Sequence, residues 1–516
     1  MVFSSLLFLF GFLPAIYLLY LVVHFGVVHF GAARFGAAPR RAACGDLRSA
    51  AKATNAVLLL GSLLFYAWGA PKFILLFLIP GVFDFAISRL IARDSSSPSM
   101  RRTLLWISIA GNLAILGYFK YANFFIDQLN ALLAGAGAGG SIAWTTVALP
   151  IGISFITFEK ISYIVDVYNR RVPPAESIVE YLLFIALFPH LIAGPIFRYH
   201  DIAPQLAVRS LDLSSVWAGM IRFCYGLSKK VLLADPLARV ADWAFQGDPT
   251  ALTLSYAWLG IVCYALQIFL DFSGYSDMAI GLGRMFGFEF VENFSQPYTA
   301  VSITDFWHRW HISLSNWMRE YLYIPLGGNR LGSLRTYLNL WIVFLLSGLW
   351  HGANWTFIAW GAFHGTFLVL ERLRSQMRVD APIPKGTRIR KRAVTFMLIL
   401  VSWVLFRADS LTHATGYLTA MLGLGSGTRD PLLIEVLNFK TSIILGIAIA
   451  ISFTSRKKDG VWSHFRTRSA DDVSTPQTAL NAETLFIFST GALLCFLASV
   501  LALTNSTFHP FIYFRF

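Results

Sequence analysis

MVFSSLLFLFGFLPAIYLLYLVVHFGVVHF, residues Met1–Phe30, carries no Lys, Arg, Asp or Glu. A secretory signal peptide needs a basic region ahead of its apolar core, and none is present. The stretch reads instead as a first transmembrane helix. Its basic flank (Arg34, Arg40, Arg41, Arg48, Lys52) is expected to stay in the cytoplasm, so the N terminus faces out. Further apolar runs follow at Ala56–Ala70, Lys72–Leu90, Thr103–Phe119, Thr146–Tyr168, Tyr181–Ile196, Val216–Leu233, Leu252–Leu270, Tyr337–Phe357, Ile358–Leu370, Ala393–Phe406, Thr441–Phe453 and Thr484–Ala502. A full crossing takes ~20 residues. Several runs are shorter, so some must be tilted, broken or re-entrant. The fold class is an all-α polytopic membrane protein with about eleven to twelve spanning segments plus re-entrant and amphipathic helices.

Composition agrees. The chain has 516 residues, 56% hydrophobic and only 14% charged, against about 25% charged in an ordinary soluble domain. A soluble globular enzyme, a disordered chain and a disulfide scaffold are all excluded. The net charge of +14 suits topology-setting loops better than nucleic acid, because the Lys and Arg gather at Arg89–Arg102, Arg170–Arg171, Arg372–Arg392 and Arg456–Arg468. The Gly- and Ala-rich loop Ala131–Ser141 belongs outside. Cys44, Cys224, Cys263 and Cys495 form no CxxC pair. No internal repeat appears, and the longest polar stretch, Lys457–Asn481, is too short for a soluble core. Residues 1–516 read as one membrane domain.

Polar groups inside apolar stretches are costly in lipid, so they face protein or a water-filled cavity. Four clusters stand out. In Leu149–Tyr168, Glu159, Tyr163 and Asp166 fall at i, i+4 and i+7 and share a helical face. They would form either a tunnel lining or an internal polar brace with Lys160 or Arg170. In Phe188–Arg198, Pro189, Gly194 and Pro195 forbid a continuous helix and suggest a re-entrant segment. There His190 lines a site or is an interior histidine. In Leu270–Arg284, Asp271, Gly274, Tyr275 and Met278 share a face, with Ser273 and Asp277 alongside. The run Gly281–Gly287 imitates a dinucleotide fingerprint but has the wrong last spacing and no βαβ context.

The fourth cluster has two parts. Asp305–Glu320 holds Trp307, His308, His311, Asn316 and Trp317 and reads as an amphipathic helix. Ser347–Phe357 places His351 inside an apolar segment between Gly348 and Gly352, beside Trp350 and Asn354. Small glycines let another backbone or a substrate come close. Histidine is the usual proton carrier near neutral pH, and desolvation disfavours imidazolium. A neutral imidazole beside a bound thioester can take the proton of a hydroxyl acceptor. His351 is the candidate base. Asn354 would position a carbonyl or steady the ring, and His311 would orient an acyl group or donate to a developing oxyanion. His308 reads as a surface or packing residue. A metal site from His308, His311 and His351 lacks an acidic or cysteine ligand at suitable spacing, so no metal is expected. Two other classes remain: a glycan or acyl-lipid transporter or flippase using the intramembrane carboxylates, and a metal-dependent intramembrane hydrolase.

At these residues the chain resembles the membrane-bound O-acyltransferase family, in its bacterial alginate O-acetyltransferase branch. The resemblance runs through Met1–Ser5, Leu113–Asn123, Pro150–Phe155, Phe188–Pro195, Asp271–Gly283, Arg309–Ser315, Tyr323–Arg330, Trp350–Asn354 and Phe511–Phe516. It implies a multi-helix bacterial inner-membrane fold with a central tunnel, His351 and His311 being the catalytic pair. Asn354, Trp350, Asp271, Ser273, Tyr275, Asp277, Glu159, His190, Asn316 and Trp317 are the substrate or tunnel candidates. No tightly bound cofactor is implied. The donor is expected to be acetyl-CoA and the acceptor an extracytoplasmic polysaccharide, alginate or another polymer such as peptidoglycan or cellulose, reached with periplasmic partner proteins. His308 departs from the branch, which usually has arginine there.

Overall fold

The computed structural model describes residues 2–35, 39–137, 141–192, 194–375, 385–428, 438–454, 482–505 and 511. All regular structure among the described residues is helical. The longer helices are α1 (Leu13–Phe35), α2 (Pro39–Gly69), α3 (Ile74–Ala92), α4 (Pro98–Leu116), α5 (Ala122–Gly135), α6 (Ile153–Tyr168), α7 (Ile178–Ala186), α8 (Tyr199–Ala207), α9 (Leu213–Ser228), α10 (Asp235–Phe245) and α11 (Leu254–Met285). They continue as α12 (Ile303–Trp307), α13 (Ile312–Met318), α14 (Ser333–His351), α15 (Trp355–Ser375), α16 (Lys385–Arg407), α17 (Leu411–Met421), α18 (Phe439–Phe453) and α19 (Ala482–Asn505).

Six helical stretches among the described residues are long and apolar enough to cross a membrane: Phe8–Val28, Leu47–Gly69, Pro71–Ala92, Pro98–Gly135, Leu254–Met285 and Glu483–Asn505. The other apolar runs are helical in whole or in part, but in shorter, less apolar or more charged helices. The run Tyr181–Ile196 is helical only over Tyr181–Ala186, the end of α7. Among the described residues beyond Ala186, no helix resumes until Tyr199, as Pro189 and Pro195 require. In the other direction α5 continues to Gly135, into the stretch read as a loop from Ala131. The basic stretch Arg456–Arg468 and the polar stretch Lys457–Asn481 lie outside the described residues.

The chain, read from sequence as one membrane domain, gathers into two compact units. The first comprises Met1–Phe223 and Met278–Val291, the second Cys224–Asp277 and Glu292–Phe516. In the first unit α6 is buried along nearly its whole length, and its polar residues find partners on other helices. Asp84 of α3 receives Ser108 Oγ at 2.6 Å and Asn112 Nδ2 at 2.9 Å. Lys160 Nζ lies 3.2 Å from Asp84 and donates to Asn112 Oδ1 at 3.1 Å. A buried ion pair survives only when its remaining hydrogen-bonding capacity is met, and Ser108 and Asn112 meet it. Arg209 is held in the same manner by Asn55 Oδ1 at 2.6 Å, Thr54 Oγ1 at 2.8 Å and the face of Phe288.

In the second unit α14 and α15 form a tight antiparallel hairpin, and α16 packs on α15. A π-turn over Lys229–Ala234 follows α9. Tyr417 of α17 donates to the Ala257 carbonyl at 2.9 Å and stacks on Phe245. Arg407, closing α16, pairs with Asp242 of α10 at 2.9 Å.

Candidate active site

His351 is the last residue of α14 and only 5% exposed. The hairpin brings it into the interior by direct backbone contact. A Cβ on Gly348 would stand 2.2 Å from the Phe357 carbonyl oxygen, and one on Gly352 would stand 2.1 Å from the Phe357 ring. Only glycine fits at either position, so the glycines flanking the histidine admit the facing helix. Around the His351 ring stand Trp350 at 4.9 Å, Trp360 at 5.1 Å and Phe406 at 5.2 Å between centroids, all near edge-to-face.

His311 is fully buried, but not on the helix that Asp305–Glu320 suggests. The segment breaks into α12 and α13, and His311 sits between them at φ +45°. The i, i+3 and i, i+4 relations of His311 to His308 and Trp307 therefore place no common face. His308 is exposed. The break has a visible cause. Ile312 N–H donates to the Asn293 carbonyl at 3.0 Å, and Asn293 Oδ1 accepts from Ser313 N–H at 3.2 Å and Ser313 Oγ at 2.9 Å. The same Oδ1 lies 3.2 Å from His311 Nδ1. A backbone N–H can only donate, so the bonds from Ser313 fix which end of the amide is oxygen. Nδ1 of His311 must then donate. In the neutral ring the lone pair is left on Nε2. This corrects one expected role: at Nε2 a neutral His311 held so can only accept a hydrogen bond and cannot donate to an oxyanion.

Trp350 brings the two histidines into one aromatic cluster. Its ring is 6.4 Å from His311 and 4.9 Å from His351. Phe272 of α11 meets His311 edge-on at 4.8 Å. Tyr275, one turn on, packs against Phe511 at 4.7 Å, and Ser273 is buried beside them in sequence.

The remaining candidates are engaged elsewhere. Asp271 lies 3.2 Å from Lys230 Nζ, and Asp277 pairs with Lys229, both lysines being carried by the π-turn. Asn354 accepts from Thr356 N–H at 3.0 Å, capping α15, and donates to the Asp409 carbonyl at 3.0 Å. Its amide therefore shapes the hairpin turn rather than steadying the His351 ring. Trp317 is buried against Tyr321, and Asn316 is half-buried on α13.

Glu159 and His190 belong to the first unit and pair with each other at 3.0 Å. Asp166, on the same face of α6, pairs with His200 at 2.8 Å and Arg171 at 3.3 Å. The α6 stripe is thus an internal brace, with partners other than those expected: Lys160 serves Asp84. Sequence reading missed Asn293, Trp360, His364 and Phe406. His364, in Gly361–Gly365 of an apolar run, carried the same signal as His351 and could have been found by it. Among the described residues no group of three or more His, Cys, Asp or Glu is placed to hold a metal ion.

Residues 167–408, which include both histidines, match the family described as MBOAT, membrane-bound O-acyltransferase. The chain is 41% identical to the "Probable alginate O-acetylase AlgI" of Azotobacter vinelandii over 100% of both chains. It is likewise 41% identical to the protein of that name from Pseudomonas putida, again over 100% of both. It is 37% identical to the peptidoglycan O-acetyltransferase of Helicobacter pylori, over 71% of this chain and 73% of the relative.

Proposed function

The chain belongs to the membrane-bound O-acyltransferase family, and from that premise we propose that this multi-pass membrane acyltransferase moves acetyl from cytoplasmic acetyl-CoA to an extracytoplasmic polysaccharide, alginate, with His351 as the base. The carrying observation is the burial of His351 and His311 in one aromatic cluster around Trp350. The full-length relatives named alginate O-acetylases support the acceptor. The chemistry balances without an outside reagent. The His351 imidazole takes the hydroxyl proton as that oxygen attacks the acetyl carbonyl. The C–O bond forms, the C–S bond breaks, and the imidazolium returns the proton to the coenzyme A thiolate. His311, presenting the Nε2 lone pair, orients the acceptor by accepting from a neighbouring hydroxyl of the sugar, which leaves the attacking O–H to His351. Excluding water protects the thioester from hydrolysis, and the surrounding tryptophans and phenylalanines do this. The enzyme would sit in the inner membrane with its N terminus outside, since Met1–Phe30 is uncharged and its flank basic. Periplasmic partner proteins would complete polymer acetylation.

His351→Ala tests the assignment. The variant should insert and elute like the parent but leave the polymer without acetyl esters, a loss of at least about 10²-fold. Ester content equal to the parent's, measured by NMR of the isolated polysaccharide, removes His351 from the chemistry.

A further inference from the structure

His364 lies on α15, fully buried, and nothing in the reaction above employs it. Its Nδ1 accepts the indole N–H of Trp307 at 3.2 Å. An indole N–H can only donate, so Nδ1 carries a lone pair and the neutral ring holds its proton on Nε2. The His364 ring stands 4.8 Å from that of Trp360, and Trp360 stands 5.1 Å edge-on from His351. Trp307 itself packs on Trp360 at 5.7 Å. Two turns further along α15, Glu371 accepts Ile303 N–H at 2.6 Å and Thr304 N–H at 2.9 Å. Helix α15 therefore grips α12 at both ends, by Glu371 at its start and by His364 at Trp307. The chain leaving α12 leads at once to His311. A five-residue helix is too short to hold its own geometry, so the place of α12, from which the chain enters the His311 segment, depends on these two anchors.

We propose that His364 is a positioning residue: through Nδ1 it fixes the segment that carries His311, and through Trp360 it fixes the ring of His351, so that one side chain sets the two histidines relative to each other. The inference rests on His351 and His311 being the reacting pair. A space-filling histidine would tolerate any ring of like volume. A positioning one requires the acceptor atom.

Three variants separate these cases. His364→Phe keeps a ring and removes the acceptor, Trp307→Phe removes the donor, and His364→Asn restores an acceptor near the Nδ1 position. In the full-length purified enzyme, His364→Phe should lower kcat roughly 10–100-fold while KM for acetyl-CoA stays within about 2-fold, the pattern of displaced catalytic groups. His364→Asn should recover most of that loss. The double variant with Trp307→Phe should be no slower than the worse single one, since both remove one bond. Parental kcat in His364→Phe, or in Trp307→Phe if His364→Phe does not fold, overturns the inference. So does an Asn variant as slow as the Phe variant. Full activity in His351→Ala would instead overturn the assignment of the base, so the two failures are distinguishable.

Discussion

At His311 the backbone stands at φ +45°, a region that costs a side-chain-bearing residue roughly 1–3 kcal/mol. The surroundings impose it, because the next two amides reach back to Asn293. One side chain thereby sets both the turn and the tautomer. Asn293→Ala removes the acceptor of His311 Nδ1, Ser313 N–H and Ser313 Oγ together. Burying donors without partners costs about 1–3 kcal/mol. The variant should melt lower in detergent, and its transfer rate should fall at least about 10-fold, because the imidazole is no longer held in one protonation pattern. A parental melting temperature and rate together would show that Asn293 fixes neither. The burial of His351 was legible in the sequence, since a histidine in an apolar run must be covered by protein, whereas His311 stood in a segment that reads as an amphipathic helix. Asn293 was not legible. It lies in a loop with no periodicity, and its importance arises only when the chain folds back upon it.

Elements are decided by close approach. In the α14–α15 hairpin Gly348 meets the Phe357 carbonyl, and Gly361 would place a Cβ 2.3 Å from the Phe344 carbonyl. Neither neighbour is a side chain that can swing aside, so Gly348→Leu must part the helices. Overpacking of this kind costs about 1–3 kcal/mol or more. A shift of about 1 Å at His351 can cost on the order of 10² in rate. Thermal unfolding and the acetyl-transfer rate should both fall. Gly446→Ala on α18, where nothing lies within 4 Å of a Cβ, should be neutral or stabilise by up to about 1 kcal/mol. Equal effects of the two changes would deny the hairpin its role. The glycines flanking His351 announced close packing in sequence. The split of Asp305–Glu320 was hidden, because a 3.6-residue period continues across a break that is caused by Asn293, a residue outside the segment.

On the scale of the whole molecule, apolar content and run length fix the class, whereas the number of crossings does not follow from them. Runs such as Tyr181–Ile196 are apolar because they are buried in protein, and α6 shows why. Its stripe reads equally as lining or brace until its partners are known. Those partners, His190, His200 and Asp84, lie on other elements of the first unit. The outermost of these contacts makes that unit sensitive to pH. His200 opens the short helix α8, beyond the proline-bearing segment, and its pKa is raised above 6.5, first by its hydrogen bond to Asp166 and then by the neighbouring Asp201 carboxylate, against burial and Arg198. A histidine whose folded value exceeds the unfolded one stabilises fully below the unfolded value, and that contribution is lost as pH rises through the folded one. The midpoint of thermal unfolding should therefore fall as pH is raised from below 6.5 to about 8, in the range where the histidine titrates. In His200→Asn, which cannot be protonated, the slope over that interval should be reduced. A variant whose midpoint tracks the parent's across the whole interval would show that the His200–Asp166 pair is not the source of the dependence.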